Sequence, residues 1–323
     1  MTEIKTIGIL TSGGDAPGMN GVIRAVTRAS IYHQMRVMGI RRGYHGLWRG
    51  DVVELNARSV SETLQRGGTF LMTARSETFR TEEGLQKAKR MCEVFGINVV
   101  VCVGGDGTTR GAMELAEIGV PVIVIPATID NDVANTDYTI GYDTALNTAI
   151  ESVDRLRDTA SSHERCSVIQ VMGRSAGYLA LNTGIATGAE VILIPEHEID
   201  FDQDVIRKIL SARNRGKYHY IVIVAEGAGD AVDIAKRIEE ATQVEARATV
   251  LGYVQRGGSP TYRDRYMASE MGIHAVECIV EGRLNRAITY CNGEIRDVDL
   301  GEAMKMTKTI PEEEFKRAKI LSL

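Results

Sequence analysis

In Val99-Val100-Val101-Cys102-Val103-Gly104-Gly105-Asp106-Gly107-Thr108-Thr109 a continuous apolar run gives way to glycines and then to the amphipathic stretch Thr109–Ile118. An apolar run without alternation reads as a strand covered on both faces. The same type of run recurs at Ile7–Leu10, Val122–Ile125, Val168–Val171, Val191–Ile194 and Ile221–Val224. Helical periodicity recurs at Gly18–His33, Ala145–Thr159, Ser175–Ala186, Ala231–Thr242 and Tyr262–Glu281. Strand–helix alternation predicts an α/β fold with mostly parallel sheets. Two sheet-forming blocks are expected, one up to about Ile140 and one from about Tyr142 to Leu251. The last stretch of chain could complete either, and no Pro/Ser-rich linker marks a boundary.

The chain has 323 residues and a formal net charge of −5, with 44% hydrophobic residues. That length suggests about two domains, and that apolar content excludes wholesale disorder. A mildly acidic chain is a poor candidate for nonspecific binding to nucleic acid or membrane surfaces. Cys92, Cys102, Cys166, Cys278 and Cys291 are an odd set without a CxxC pair, as expected of reduced thiols rather than a disulfide framework or zinc site. Glu3 and Lys5 interrupt the start of the chain, so no signal peptide is expected, and no apolar run reaches the ~18–20 residues of a membrane span. A soluble, cytoplasmic protein is the expectation.

Ligands of parallel α/β sheets bind at the carboxyl ends of strands, often against a helix N-terminus. The loop Thr11-Ser12-Gly13-Gly14-Asp15-Ala16-Pro17-Gly18-Met19-Asn20 could cradle a phosphate with its glycine amides, or be a simple strand–helix turn. It is neither a Walker A loop nor a GxGxxG fingerprint. In Gly104-Gly105-Asp106-Gly107-Thr108-Thr109 a carboxylate stands among glycines that would admit a polyphosphate. The two are compatible if Mg²⁺ lies between them; the alternative is that Asp106 merely caps a helix. In Pro126-Ala127-Thr128-Ile129-Asp130-Asn131-Asp132 two carboxylates two residues apart suit a base plus a metal-handling or electrostatic group, or an Asx-turn open to water.

Arginine outnumbers lysine by 28 to 10, and no lysine lies between Lys89 and Lys208. Codon bias would explain the ratio. It does not explain why Arg75, Arg165, Arg174, Arg247 and Arg256 all stand near expected strand ends or Gly-rich loops. A guanidinium grips phosphate with two parallel hydrogen bonds. The set therefore favours phosphorylated ligands, although any single one of these arginines could simply be solvated.

Taken in order, SGGDAPGMN (Ser12–Asn20), RGGTF (Arg66–Phe70), GGDGT (Gly104–Thr108), TIDND (Thr128–Asp132), DTASSHER (Asp158–Arg165), VMGR (Val171–Arg174) and RATVLGYVQRGGSP (Arg247–Pro260) resemble 6-phosphofructokinases of the bacterial ATP-dependent type over nearly the whole chain. The resemblance implies transfer of the ATP γ-phosphoryl group to the 1-hydroxyl of fructose 6-phosphate. It implies Asp130 as general base flanked by Thr128 and Asp132, with Arg174 and the Gly14 N–H meeting charge on the transferring group. Asp106 would hold Mg²⁺. Gly105, Gly107, Thr108 and Gly111 would line ATP, and Tyr44, Arg75 and Arg80 would contact its base or phosphates. Met172, Gly173 and Glu226 would contact the sugar, and Arg165, Arg247 and Arg256 its 6-phosphate. The first two of those arginines would come from a neighbouring subunit of a homotetramer.

The resemblance further implies two similar Rossmann-like three-layer domains facing each other across the active site. A nucleotide-binding domain would comprise 1–141 plus 253–305, and a sugar-phosphate-binding domain 142–252 plus 306–323. A second, intersubunit site for ADP or GDP as activator or phosphoenolpyruvate as inhibitor would use Arg24, Arg28, Glu62, Arg157, Glu190, Arg215, Lys217 and His219. Like charges spaced i, i+4 repel, so the pair Arg24 and Arg28 suits a bound anion, although both could be solvated.

Four positions depart from the family pattern. Tyr253 stands where histidine is usual, Ala127 where glycine is usual, Ala57 where arginine is usual (Arg58 is adjacent) and Tyr218 where lysine is usual. Pyrophosphate-dependent relatives carry lysine at the position of Ala127 and aspartate at that of Gly107, and two small uncharged residues leave room for ATP. The alternatives are a pyrophosphate-dependent enzyme, an NAD or lipid kinase sharing only the GGDGT loop, and a nonenzymatic sensor of nucleotides or sugar phosphates.

Overall fold

A computed structural model describes residues 4–321. In chain order its elements are β1 (Thr6–Thr11), α1 (Met19–Tyr32), β2 (Arg36–Ile40), α2 (Gly43–Arg49), β3 (Val52–Leu55), α3 (Glu82–Val94), β4 (Val99–Gly104), α4 (Asp106–Glu117) and β5 (Val122–Pro126). They continue with α5 (Tyr142–His163), β6 (Cys166–Val171), α6 (Tyr178–Thr187), β7 (Val191–Leu193), α7 (Arg207–Asn214), β8 (Tyr220–Ala225), α8 (Ala231–Thr242) and β9 (Ala246–Val250). The chain closes with α9 (Tyr262–Val280), β10 (Arg286–Cys291), β11 (Glu294–Asp299), α10 (Leu300–Ala303) and α11 (Glu312–Leu321). No described helix is long and apolar enough to cross a membrane.

The chain divides into two compact units. The first runs through Thr144 and resumes over Arg256–Lys308; the second takes Ala145–Gln255 and the chain from Thr309. In the first, a seven-stranded sheet has the order β11-β10-β5-β4-β1-β2-β3, parallel except for the edge pairs β2/β3 and β10/β11. In the second, four parallel strands follow the order β7-β8-β6-β9. The mostly parallel α/β architecture expected from the apolar runs is the one found. Val99, Val100, Val101, Cys102 and Val103 are all fully buried. Each of these valine side chains contributes roughly 1.5–3 kcal/mol when taken out of water.

Several element ends differ from the periodicity. The helix after β4 begins at Asp106 rather than Thr109, because Gly105 is its N-cap. α5 begins at Tyr142, three residues before the amphipathic pattern starts, because Asp264 on α9 holds that turn. Asp264 is fully buried and accepts from Tyr138 Oη (2.5 Å), Gly141 N (2.7 Å), Thr144 N (2.8 Å) and Thr144 Oγ1 (2.5 Å). Removing this acceptor takes a partner from each of these buried donors, at roughly 1–3 kcal/mol for any that finds no replacement. Asp264→Ala is therefore expected to lower unfolding free energy by about 3–5 kcal/mol, read as a lower urea midpoint. A midpoint unchanged within error would show that the donors find other partners.

Four of the five cysteines are buried and Cys291 is half-buried. Burial pushes the thiols of Cys92, Cys102, Cys166 and Cys278 up to about 12, which keeps them as inert core groups.

Candidate active site

In the first unit, the central strands β1, β4 and β5 are parallel neighbours, so their following loops emerge side by side. Backbone hydrogen bonds join them: Ser12 N donates to Val103 O (3.0 Å) and Ala127 N to Gly104 O (3.0 Å). Gly104 stands where a Cβ would overlap the Ser12 carbonyl and the Thr108 hydroxyl, so the first two loops can touch only through a glycine. Gly18 caps α1 at φ 109°, a backbone that excludes most side chains.

Asp106 lies in the first turn of α4, and its side chain does not cap the helix. Its half-buried carboxylate has no ion pair among the described residues. A hard carboxylate oxygen beside glycine amides fits Mg²⁺, which is commonly held by one or two carboxylates, its own waters and substrate phosphates. A Cβ on Gly107 would meet nothing within 4 Å, leaving open space over the helix start. Thr108 is buried, and its hydroxyl has no hydrogen-bond partner among the described residues. Tyr44 is buried beneath this turn. Its hydroxyl donates to Thr108 O (2.6 Å), its ring stacks on Phe79, and a Cβ on Gly111 would sit 2.7 Å from it. Arg75 and Arg80 are exposed.

The third loop is not an Asx-turn open to water. Asp130 is 7% exposed and Asn131 is buried at φ 52°. Thr128 Oγ1 donates to Asp130 Oδ2 (3.3 Å) and accepts from Asp130 N (3.3 Å). The Asn131 side chain accepts from Thr139 N (3.0 Å) and donates to Asp137 O (3.2 Å), while Thr139 Oγ1 donates to Thr128 O (2.6 Å). Asp132 is half-buried. From the far end of the unit's chain, Arg256 lies against the first loop: a Cβ on Gly14 would overlap its guanidinium, and its Nη1 approaches Asp15 O at 3.4 Å.

In the second unit, the ends of β6 and β8 bring Met172, Gly173, Arg174 and Glu226 together. Glu226 N donates to Val171 O (2.9 Å), and Glu226 Oε1 accepts from Arg174 N (2.6 Å). Gly173 has φ 134°, and a Cβ there would overlap the Ala176 carbonyl. Met172 N donates to Gln255 Oε1 (2.9 Å), and Gln255 is fully buried. Arg165 and Arg247 share one carboxylate: Arg165 Nε bonds Glu245 Oε2 at 2.7 Å and Arg247 bonds its other oxygen. The hydrogen bond from Arg165 holds Glu245 below the usual carboxylate range. Tyr253 is 81% exposed on a short turn.

Of the residues expected at the effector site, Arg157, Glu190, Lys217 and His219 meet in this unit. Lys217 pairs with Glu190, whose Oε2 accepts from Ile221 N (2.6 Å), and Arg157 bonds Thr187 O. Burial, then Lys217 and Arg157, lower the His219 pKa. Arg215 bonds Ser211 Oγ (2.8 Å). Arg24 and Arg28 lie on α1 in the first unit, where burial and then Arg28 lower the Arg24 pKa; Glu62 is exposed there at φ 54°.

Glu245, Gln255 and Lys308 were not singled out from the sequence. Lys308 donates to Asn131 O (2.7 Å) and Thr136 O (2.8 Å) and so touches the Asp130 loop. No motif surrounds it, and only chain topology brings it there.

Glycine amides and carboxylates at the carboxyl ends of parallel strands, with Arg174 after β6 and Arg256 after β9, define an α/β protein suited to phosphorylated ligands, whereas Arg165 and Arg247 stand at the amino ends of β6 and β9. The family model described as phosphofructokinase matches residues 6–279. An ATP-dependent 6-phosphofructokinase of Alkaliphilus metalliredigens (strain QYMF) is 50% identical over 320 residues, covering 99% of this chain and 100% of that protein. One of Clostridium botulinum (strain Loch Maree / Type A3) is 50% identical over 319 residues with the same coverage. Among solved structures, phosphofructokinase from Saccharomyces cerevisiae superposes with TM-score 0.88 at 34% identity, over 98% of this chain and 48% of that one, so this chain spans about half of it. A pyrophosphate-dependent phosphofructokinase from Marinobacter aquaeolei gives 0.85 at 21% identity over 96% of this chain and 86% of that one, a likeness of fold alone. The chain belongs to the phosphofructokinase family, as its ordered motifs implied.

Proposed function

We propose that this protein transfers the γ-phosphoryl group of ATP to the 1-hydroxyl of fructose 6-phosphate, giving fructose 1,6-bisphosphate and ADP. The observation that carries the reading is the TIDND loop: Asp130 is nearly buried, and Thr128 both donates to its carboxylate and accepts from its N–H. Full-length identity of 50% to ATP-dependent 6-phosphofructokinases supports the donor.

Phosphoryl transfer is catalysed mainly by positioning and electrostatics. Asp130 takes the hydroxyl proton, with Thr128 orienting it and Asp132 beside it. Gly14 N–H and Arg174 meet charge developing on the transferring oxygens. Gly105, Gly107, Thr108 and Gly111 form the nucleotide floor, with Arg75 and Arg80 reaching its phosphates and Tyr44 supporting that floor from beneath. Asp106 would hold Mg²⁺, which when bound neutralises phosphate charge. Met172, Gly173 and Glu226 recognise the sugar. Arg256, together with Arg165 and Arg247 supplied by a neighbouring subunit, takes the 6-phosphate, aided by Tyr253, whose hydroxyl can donate one hydrogen bond but carries no positive charge.

Under this reading the first unit serves the nucleotide and the second the sugar phosphate. Arg165 and Arg247 serve a neighbouring subunit of a homotetramer. An anionic effector binds Arg157, Lys217 and His219, and Arg24 and Arg28 of a neighbouring subunit complete this intersubunit site. A coupled assay with fructose 6-phosphate and ATP tests the reaction: turnover abolished by EDTA and restored by Mg²⁺ is expected. No turnover at any substrate concentration would overturn it.

A further inference from the structure

Lys308 is the last residue of the first unit, far in sequence from every loop of the candidate site. Its ammonium bonds the carbonyls of Asn131 and Thr136, 177 and 172 residues away. Asn131 is the residue between Asp130 and Asp132, in the left-handed backbone region that few side chains adopt without support. Its side chain is committed to Thr139 and Asp137. The peptide leaving it toward Asp132 presents its carbonyl to the lysine. A hydrogen bond from a charged donor is shorter and roughly twice as strong as a neutral one. The groups facing Lys308 are the carboxylates of Asp137 and Asp132 and the Cys291 thiol, all of which favour its charge; burial opposes them and brings its pKa down to about 8.

We propose that Lys308 is a positioning residue for phosphoryl transfer: by holding the Asn131 carbonyl it fixes the peptide between Asp130 and Asp132 and thereby aims the Asp130 carboxylate. The inference rests on Asp130 being the base. A misplacement of about 1 Å in a reacting group can lower a rate on the order of a hundredfold.

The test uses the full chain with Lys308→Met, Lys308→Arg, Asp130→Asn and the double variant Asp130→Asn/Lys308→Met. Lys308→Met is expected to lower kcat by roughly 10- to 100-fold with KM for both substrates within about twofold. Lys308→Arg keeps the charge and should restore most of the rate. In the Asp130→Asn background, Lys308→Met should cost little more, because two residues acting through one group are non-additive. The unaltered protein supplies a readout that needs no variant. Lys308 is charged below about pH 8, so kcat should decline as pH rises through that value, and Lys308→Arg should flatten the decline. Wild-type kcat in Lys308→Met, with Asp130→Asn nearly inactive, would overturn the inference and leave the base assignment standing. So would an equal loss from Lys308→Met in both backgrounds. Wild-type turnover in Asp130→Asn would instead overturn the base assignment, and the inference with it.

Discussion

Asp130→Ser is expected to lower kcat by roughly 10²–10⁴-fold while leaving ATP affinity nearly unchanged. Serine removes the carboxylate that would accept the 1-hydroxyl proton but leaves the loop's other contacts in place. Those contacts are Asn131 to Thr139 and Asp137, and Thr139 to Thr128, and none passes through the Asp130 carboxylate. Nucleotide binding is assigned to a different loop, Gly104–Thr108. Steady-state kinetics with fructose 6-phosphate, paired with nucleotide titration by calorimetry, separates the two effects. Unchanged turnover would remove Asp130 from the chemistry. Loss of ATP binding in step with turnover would mean the two loops are not independent.

The second large effect is expected at Gly107. Gly107→Asp should raise KM for ATP on the order of 10–100-fold without lowering the melting temperature. A Cβ there meets nothing within 4 Å, and the backbone lies outside the left-handed region, so a side chain fits. A carboxylate in the first turn of α4 even complements the helix dipole. Against a bound triphosphate the same charge is unfavourable. Two unit charges about 5 Å apart at an effective dielectric near 20 repel by roughly 3 kcal/mol, about a hundredfold in affinity. The adjacent candidate, Ala127→Lys, is a poorer probe, because Ala127 is fully buried and its N–H ties β5 to the Gly104 carbonyl. An unaltered KM for ATP in Gly107→Asp would place the nucleotide phosphates elsewhere.

The central strands were legible because burial on both faces demands unbroken apolar runs, and β4, β5, β6 and β8 are wholly or almost wholly buried. The edges were not. β3 and β11 carry mixed polar and apolar residues because they are partly exposed, and β2 is interrupted by Gly39. That glycine answers to packing: a Cβ there would press Leu55 and Leu71 at 2.9–3.0 Å. α3 lies in a long charged stretch without a clear apolar period, although Thr81 caps it by accepting from Gly84 N.

The loops of the candidate site were legible for a different reason. Glycines and carboxylates at strand ends have few structural uses, so GGDGT and TIDND stand out. The groups that orient them are ordinary residues at large sequence separation. Glu245 between Arg165 and Arg247, Gln255 under Met172, and Lys308 on Asn131 carry no local pattern, and only the folded chain gives them partners. The net charge of −5 likewise describes an average that conceals local positive charge, such as the Arg256 guanidinium against the Gly14 loop.

Comparison of ATP with pyrophosphate as phosphoryl donor, at saturating fructose 6-phosphate and Mg²⁺, tests the central claim most directly. With ATP, formation of fructose 1,6-bisphosphate at a kcat/KM far above that with pyrophosphate is predicted. Turnover with pyrophosphate and none with ATP would contradict the account, and so would inertness toward both.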